Sequence, residues 1–293
     1  MEKIIDTQNL HMAVNISSPS DGQPLILLHG WPDSWHTWDA MLPILHQSGY
    51  QTFVPSLRGF GHTCFRHEQT RRTGSFFALA QDTKDLIDVL QLGQVRVIGQ
   101  DWGAFTALMM SNLWGTGIVG SSVVLAEGWQ TFGNLSLEQI QNFWYQWFMT
   151  TEQGERYVRN HPLTFAEHMW QVWSPRYALT DTDRADFKET FANPDWAAVT
   201  LDMYRSRWGY APTDGHYAPL AERLQRNDRI SVPTLNIIGQ ADGCTDYHQA
   251  SSMASFMDGP FKQELWPQAG HFLQREQSTR VANEAIQWFE HTK

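Results

Sequence analysis

Gly99-Gln100-Asp101-Trp102-Gly103 stands between two apolar runs, Val95 to Ile98 before it and Ala104 to Met110 after it. That order reads as strand, tight turn and helix. The two glycines permit a strained turn and close helix packing, so the middle side chain stands above the sheet. Here the middle residue is an aspartate, at a place where serine is a common nucleophile. An ordinary Asp is already ionised at neutral pH and needs no general base to attack. It attacks alkyl carbon, opening an epoxide or displacing a halide, and leaves an alkyl ester for water to cleave.

Further strand and helix patterns alternate around this turn. Leu10 to Ile16 and Leu25 to His29 read as strands, separated by the polar turn Ser17 to Gly22. Thr52 to Pro55, Ser122 to Ala126, Thr234 to Ile238 and Gln263 to Trp266 are further short apolar runs. Ser75 to Leu92 has helical spacing, with Leu79, Leu86, Val89 and Leu90 apolar, and Gly93 ends it. Repeated strand–helix units imply a mostly parallel sheet with helices on both faces, an α/β class fold. From about residue 131 to 229 the rhythm stops, and the chain becomes helix-like and rich in Trp, Tyr, Phe and Arg. The expected organisation is therefore a core of residues 1–130 and 230–293, with a helical lid at 131–229. Such a lid covers the carboxyl ends of the strands, where α/β proteins bind ligands.

Composition narrows the partners. A net charge of -10 without a Lys/Arg cluster argues against a nucleic-acid surface. No apolar run approaches the roughly 20 residues of a membrane span, and the start Met1-Glu2-Lys3-Ile4-Ile5-Asp6 lacks a signal-peptide pattern. Two cysteines, Cys64 and Cys244, make no disulfide framework, which fits a reduced, cytoplasmic protein. The 14 tryptophans suit either a packed aromatic core or a pocket for an apolar or aromatic ligand. The histidines have no metal-site spacing.

Three loops can serve Asp101. His29-Gly30-Trp31-Pro32 follows an early strand, and the backbone N–H groups of Trp31 and Trp102 can together form an oxyanion hole. Ala269-Gly270-His271-Phe272 follows the last strand, which makes His271 the candidate general base. Asp242, just after the Thr234 to Ile238 strand, can orient and charge-stabilise the imidazole. Glu127, directly after Ser122 to Ala126, is the alternative acid, and Asp246 is a third carboxylate within range.

Taken together, these segments resemble the α/β-hydrolase-fold epoxide hydrolases, over nearly the whole chain. His29 to Trp35 resembles that family's oxyanion loop, Leu57-Arg58-Gly59-Phe60-Gly61 its next motif, Gly99 to Gly103 its nucleophile turn, and Gly270-His271-Phe272 its base loop. Tyr145-Gln146-Trp147-Phe148 and Met203-Tyr204-Arg205 resemble the lid segments carrying two ring-opening tyrosines. The resemblance implies epoxide hydrolysis to a vicinal diol through a hydroxyalkyl-aspartyl ester, with no metal or organic cofactor. The implied partner is a small apolar or aromatic epoxide. Phenols with pKa near 10 stay neutral at pH 7 and can donate to the opening oxygen.

The chain departs from the pattern at Gln100, where histidine is frequent, at Ser56, where an acid is common, and in the acidic loop Gly239 to Cys244, which lacks the usual lysine and prolines. Two rival readings use the same residues. A haloalkane dehalogenase would draw on the Trp102 indole for halide and on Glu127 as acid, but leaves both tyrosines without a role. A non-catalytic receptor would simply close its lid on a small molecule.

Overall fold

A computed structural model describes residues 2–17, 19–128 and 135–292, with the side chains of residues 250 and 251 excepted. Its strands are β1 (Glu2–Asp6), β2 (Leu10–Ser17), β3 (Gln23–Leu28), β4 (Tyr50–Pro55), β5 (Cys64–Phe65), β6 (Val95–Gln100), β7 (Val119–Leu125), β8 (Thr234–Gly239) and β9 (Phe261–Trp266). They form one sheet in the order β1-β2-β4-β3-β6-β7-β8-β9, with β5 paired beside β2. From β4 through β9 along that order, every pairing is parallel; β1, β2 and β5 join antiparallel. The α/β-hydrolase architecture expected from the motifs is what forms.

The central strands are legible in the sequence because both faces are covered. In β3, Leu25 and Leu27 join one core, against α1 (Leu42–Gln47) and α13 (Ser278–His291). Ile26 and Leu28 join the other, against α2 (Phe76–Val89) and α3 (Trp102–Trp114). Side chains alternate across a strand, so a strand buried on both faces is apolar throughout. The edge strand β1 has no such run. Its Glu-Lys-Ile-Ile-Asp is largely exposed and pairs with β2 alone, which explains why no strand is apparent there from the sequence. Charges along an unshielded edge also discourage pairing with a second sheet.

Between β7 and β8 the described chain is helical: α4 (Leu137–Asn142), α5 (Trp144–Thr150), α6 (Glu152–Asn160), α7 (Pro162–Trp173), α8 (Asp181–Phe191), α9 (Trp196–Arg207) and α10 (Ala218–Arg226). The expected start of this insertion, residue 131, lies outside the described residues. After β8 come α11 (Tyr247–Ala250) and, following β9, α12 (Leu273–Glu276). Among the described residues no helix is long and apolar enough to cross a membrane.

Two arginines, Arg58 buried and Arg275 half-buried, bind the insertion to the sheet. Arg58 donates from Nε and Nη2 to the two oxygens of Asp82 at 2.6 and 2.7 Å, and also reaches the Thr73 carbonyl and the Tyr217 hydroxyl. One motif residue thus joins the loop after β4 to α2 and to the segment before α10. Arg275 bridges Asp33 and Asp183 at 2.8 and 2.6 Å, joining the loop after β3, α12 and α8. Removing one partner leaves a buried charge uncompensated, which is worth more than the pair itself. Arg58→Met should therefore lower unfolding stability by about 3–5 kcal/mol in urea titrations followed by tryptophan fluorescence.

Candidate active site

Asp101 lies between β6 and α3 with φ 52 and ψ -116, in the left-handed region that a non-glycine residue rarely adopts. Close packing keeps the turn in place. A Cβ on Gly103 would run into the Leu28 carbonyl, and one on Gly99 into the Gly103 carbonyl. The turn brings the carboxylate to the N-terminus of α3, where the helix dipole favours negative charge. The Trp31 N–H donates to Asp101 Oδ1 at 2.7 Å, across a separation of 70 residues. The Trp102 amide is the next peptide N–H, at the first position of α3. Asp101 is only 4% exposed.

His271 is fully buried and bridges two carboxylates. Its Nδ1 is 2.8 Å from Asp242 Oδ2 and its Nε2 is 3.5 Å from Asp101 Oδ2. Asp242 Oδ1 in turn accepts from the amides of Cys244 and Thr245 at 2.6 and 3.0 Å, so its own orientation is fixed. Burial opposes the charged imidazole, but the Asp242 charge and the hydrogen bonds the ring donates to the two carboxylates prevail and raise His271 to about 10. At neutral pH the ring is therefore held as an imidazolium.

Of the three candidate acids, Asp242 is the one hydrogen-bonded to the imidazole. Glu127 is buried at the end of β7 and contacts the Thr245 hydroxyl at 3.4 Å. Asp246 accepts from Ser136 Oγ and from the His248 amide, which puts it at the start of α11. Burial, reinforced by the negative charge of Asp101, raises Glu127 to about 8.

Tyr145 of α5 and Tyr204 of α9 meet above this cluster, with ring centroids 5.4 Å apart and planes nearly perpendicular. Tyr145 stacks on Trp31 at 5.6 Å, and Tyr204 packs edge-on against it at 5.8 Å. The Trp102 indole donates to the Tyr204 hydroxyl at 3.1 Å, and the Gln146 amide donates to the Tyr145 hydroxyl at 2.8 Å. Burial pushes both phenols well above their usual range, so they remain neutral donors.

Other contributors carry weaker sequence signals. The Trp173 ring packs edge-on against His271 at 5.0 Å, and its carbonyl accepts from the His271 amide at 3.0 Å. Gln100 Nε2 donates to the His271 carbonyl at 3.3 Å. His29, the most conspicuous residue of the His-Gly-Trp-Pro loop, braces that loop from within, because its Nε2 accepts from the Leu57 amide. Cys64 is exposed and Cys244 buried, and both are free thiols. Among the described residues no group of three or more His, Cys, Asp or Glu side chains is arranged to hold a metal ion.

Residues 23–277 match the family model of the alpha/beta hydrolase fold. The chain belongs to this family. A Klebsiella pneumoniae protein described as a candidate epoxide hydrolase superimposes with a TM-score of 0.90 at 31% identity, covering 98% of this chain and 96% of that one. "Epoxide hydrolase 4" of Homo sapiens is 23% identical over 288 residues, spanning 94% of this chain and 74% of the relative. "Epoxide hydrolase A" of Mycobacterium tuberculosis is 23% identical over 314 residues, spanning 96% and 94%.

Glu127 offers a direct check on the electrostatics. An acid raised from its ordinary value of 4.5 to about 8 stabilises the fold least where it must ionise. Folding stability should thus fall as pH rises from the unfolded value towards the folded one. Glu127→Gln cannot ionise, so its melting temperature should exceed that of the wild type at pH above about 8 and match it near pH 5, as scanning calorimetry can measure.

Proposed function

We propose that this protein hydrolyses an epoxide to a vicinal diol through a covalent ester on Asp101, beneath a helical lid formed by residues 131–229. The observation that carries the reading is the pair of neutral phenols, Tyr145 and Tyr204, above the Asp101 carboxyl group. Displacement of halide from a haloalkane needs an anion site, whereas opening an epoxide needs donors to an oxygen that stays attached to carbon. The Trp102 indole, which would serve a halide, is hydrogen-bonded to Tyr204 instead.

Asp101 Oδ1 is engaged by the Trp31 amide, so Oδ2 is the attacking atom. As the C–O bond of the ring breaks, Tyr145 and Tyr204 hydrogen-bond to the departing oxygen. The proton that the alkoxide requires is available from His271, which begins as imidazolium. Its loss leaves neutral imidazole, with Nδ1–H still held by Asp242. Esterification has meanwhile consumed the Asp101 charge that helped to keep the ring protonated, so burial now favours the neutral base. The base therefore becomes competent at the step that requires one. Through Nε2 it takes a proton from water, and the water oxygen attacks the ester carbon. Negative charge then develops on Oδ1, within reach of the Trp31 and Trp102 amides. Collapse transfers a proton to the departing diol oxygen and restores carboxylate and imidazolium.

Conservation of mass tests this sequence. His271→Gln removes the base while leaving Asp101, so the ester should accumulate and the peptide containing Asp101 should gain the whole mass of the epoxide. A haloalkane ester would add only the alkyl group, because halide leaves. An adduct from the haloalkane alone would transfer the chemistry to dehalogenation, and tight binding with no adduct would favour a receptor.

The tyrosines can be tested separately. Tyr145→Phe and Tyr204→Phe should each slow ester formation by roughly 10- to 1000-fold in stopped-flow single turnovers, since each loses one transition-state hydrogen bond. Full activity in both variants would remove the phenols from the mechanism.

A further inference from the structure

Gln146 of α5 is 1% exposed, and both ends of its amide are hydrogen-bonded. Its Oε1 lies 2.9 Å from the Trp208 indole nitrogen, and its Nε2 lies 2.8 Å from the Tyr145 hydroxyl. An indole N–H donates and never accepts, so the oxygen end of the amide must face Trp208. The nitrogen end is thereby turned to Tyr145, and an amide NH2 group can only donate. The phenol oxygen therefore accepts from Gln146, and its own proton points elsewhere.

Trp208, just past α9, is itself held in place. Trp147 packs against it with ring centroids 4.1 Å apart, and the Arg207 guanidinium sits 5.5 to 5.9 Å from the rings of Phe76, Phe105, Phe143 and Trp208. The other neighbour of the Tyr145 hydroxyl is Cys244 Sγ at 3.7 Å, in the loop that departs from the family pattern. Burial keeps that thiol protonated. A thiol is a weak donor and a weak acceptor, so it competes feebly for the phenol proton. Tyr204 is arranged in the same sense, since its oxygen accepts from the donor-only Trp102 indole at 3.1 Å. Each phenol thus has a donor behind it, Tyr204 directly and Tyr145 through an amide that Trp208 orients.

We propose that Gln146, oriented by Trp208, is a positioning residue for ring opening: it occupies the Tyr145 oxygen, so that the phenol proton is left to the oxygen of the substrate. The inference rests on the epoxide reading and deepens it. No bond is made or broken at Gln146. As charge builds on the opening oxygen, the Tyr145 O–H bond polarises, and the amide N–H behind it stabilises the charge shared onto the phenol. A reversed amide would do the opposite, because its carbonyl would draw the phenol proton away from the substrate. Gln146 acts on the first step alone, since ester hydrolysis uses His271 and the Trp31 and Trp102 amides.

Nested double-mutant cycles on the full chain test this relay. In single turnovers on an epoxide, Gln146→Met should slow ester formation about 5- to 10-fold, the size of one hydrogen bond, and leave ester hydrolysis within about twofold. Added to Tyr145→Phe, which has no phenol proton to direct, Gln146→Met should have no further effect. Trp208→Phe should slow the same step severalfold, and not at all once Gln146→Met is in place. A packing role would persist in both backgrounds and slow both steps, and either result overturns the relay. The second readout needs no turnover: the infrared carbonyl stretch of isotope-labelled acetophenone bound at the site, a stand-in for the ring oxygen. Donation from Tyr145 should place the band lower in the wild type than in Tyr145→Phe, and Gln146→Met should move it towards the Tyr145→Phe position. That pattern without any epoxide turnover supports the relay and places the failure with the epoxide reading. A band that Gln146→Met leaves at the wild-type position overturns the relay, as does one that Tyr145→Phe leaves unmoved.

Discussion

The hydrogen bond from the Trp31 amide to Asp101 Oδ1 ties together the two loops on which the rest of the site depends. It joins the end of β3 to the turn after β6, strands that are adjacent and parallel in the sheet. The strained backbone of Asp101 is held by that bond, by α3 and by glycines that allow backbone to touch backbone. Strain of this kind costs of order 1–3 kcal/mol and persists only when surrounding packing over-determines it. Here the surrounding packing is a sheet buried on both faces. The same bond distinguishes the two carboxylate oxygens, leaving Oδ2 towards His271.

Charge in this site is arranged in sequence along the strand ends. Asp101 follows β6, Glu127 follows β7 and Asp242 follows β8, while His271 enters from the loop after β9. Three carboxyl groups share one imidazole, and low dielectric prevents all of them from being cheaply ionised together. Glu127, the least compensated, is pushed towards its neutral form, whereas His271 is held charged. A change of charge on Asp101 is therefore felt first by the imidazole, as the proposed mechanism requires. Above it, the aromatic layer of Trp31, Tyr145, Trp173 and Tyr204 excludes water and strengthens each of these interactions.

Much of this was legible because the decisive residues sit where an apolar run stops. Asp101, Glu127 and Asp242 each follow a fully buried strand, and such strands announce themselves as continuous apolar segments, whereas His271 follows the half-exposed β9. The exposed β1 and the two-residue β5 lack such runs and were silent for that reason. Gln146 stands beside Tyr145 in a segment singled out for its tyrosine, yet its own bond to that hydroxyl depends on the course of α5. Arg207 gave no local signal, since its aromatic neighbours come from α2, α3 and the insertion, far apart in sequence.

The sequence by itself determined the α/β sheet, the carboxylate on its turn and the histidine after the last strand. These follow from hydrophobic periodicity and from glycines at close approaches, which are properties of neighbouring residues. Only the tertiary structure decided between Asp242 and Glu127 as the partner of Nδ1. Both follow buried strands that are neighbours in the sheet, so local pattern treats them alike. Loop curvature after β8 carries Asp242 to 2.8 Å from the ring, and backbone amides of the same loop fix its second oxygen. Tertiary structure also brought the two tyrosines together from helices separated by 59 positions in the chain, Tyr145 on α5 and Tyr204 on α9. No spacing in the sequence encodes that meeting; it arises from how α5 and α9 pack over the carboxyl ends of the strands.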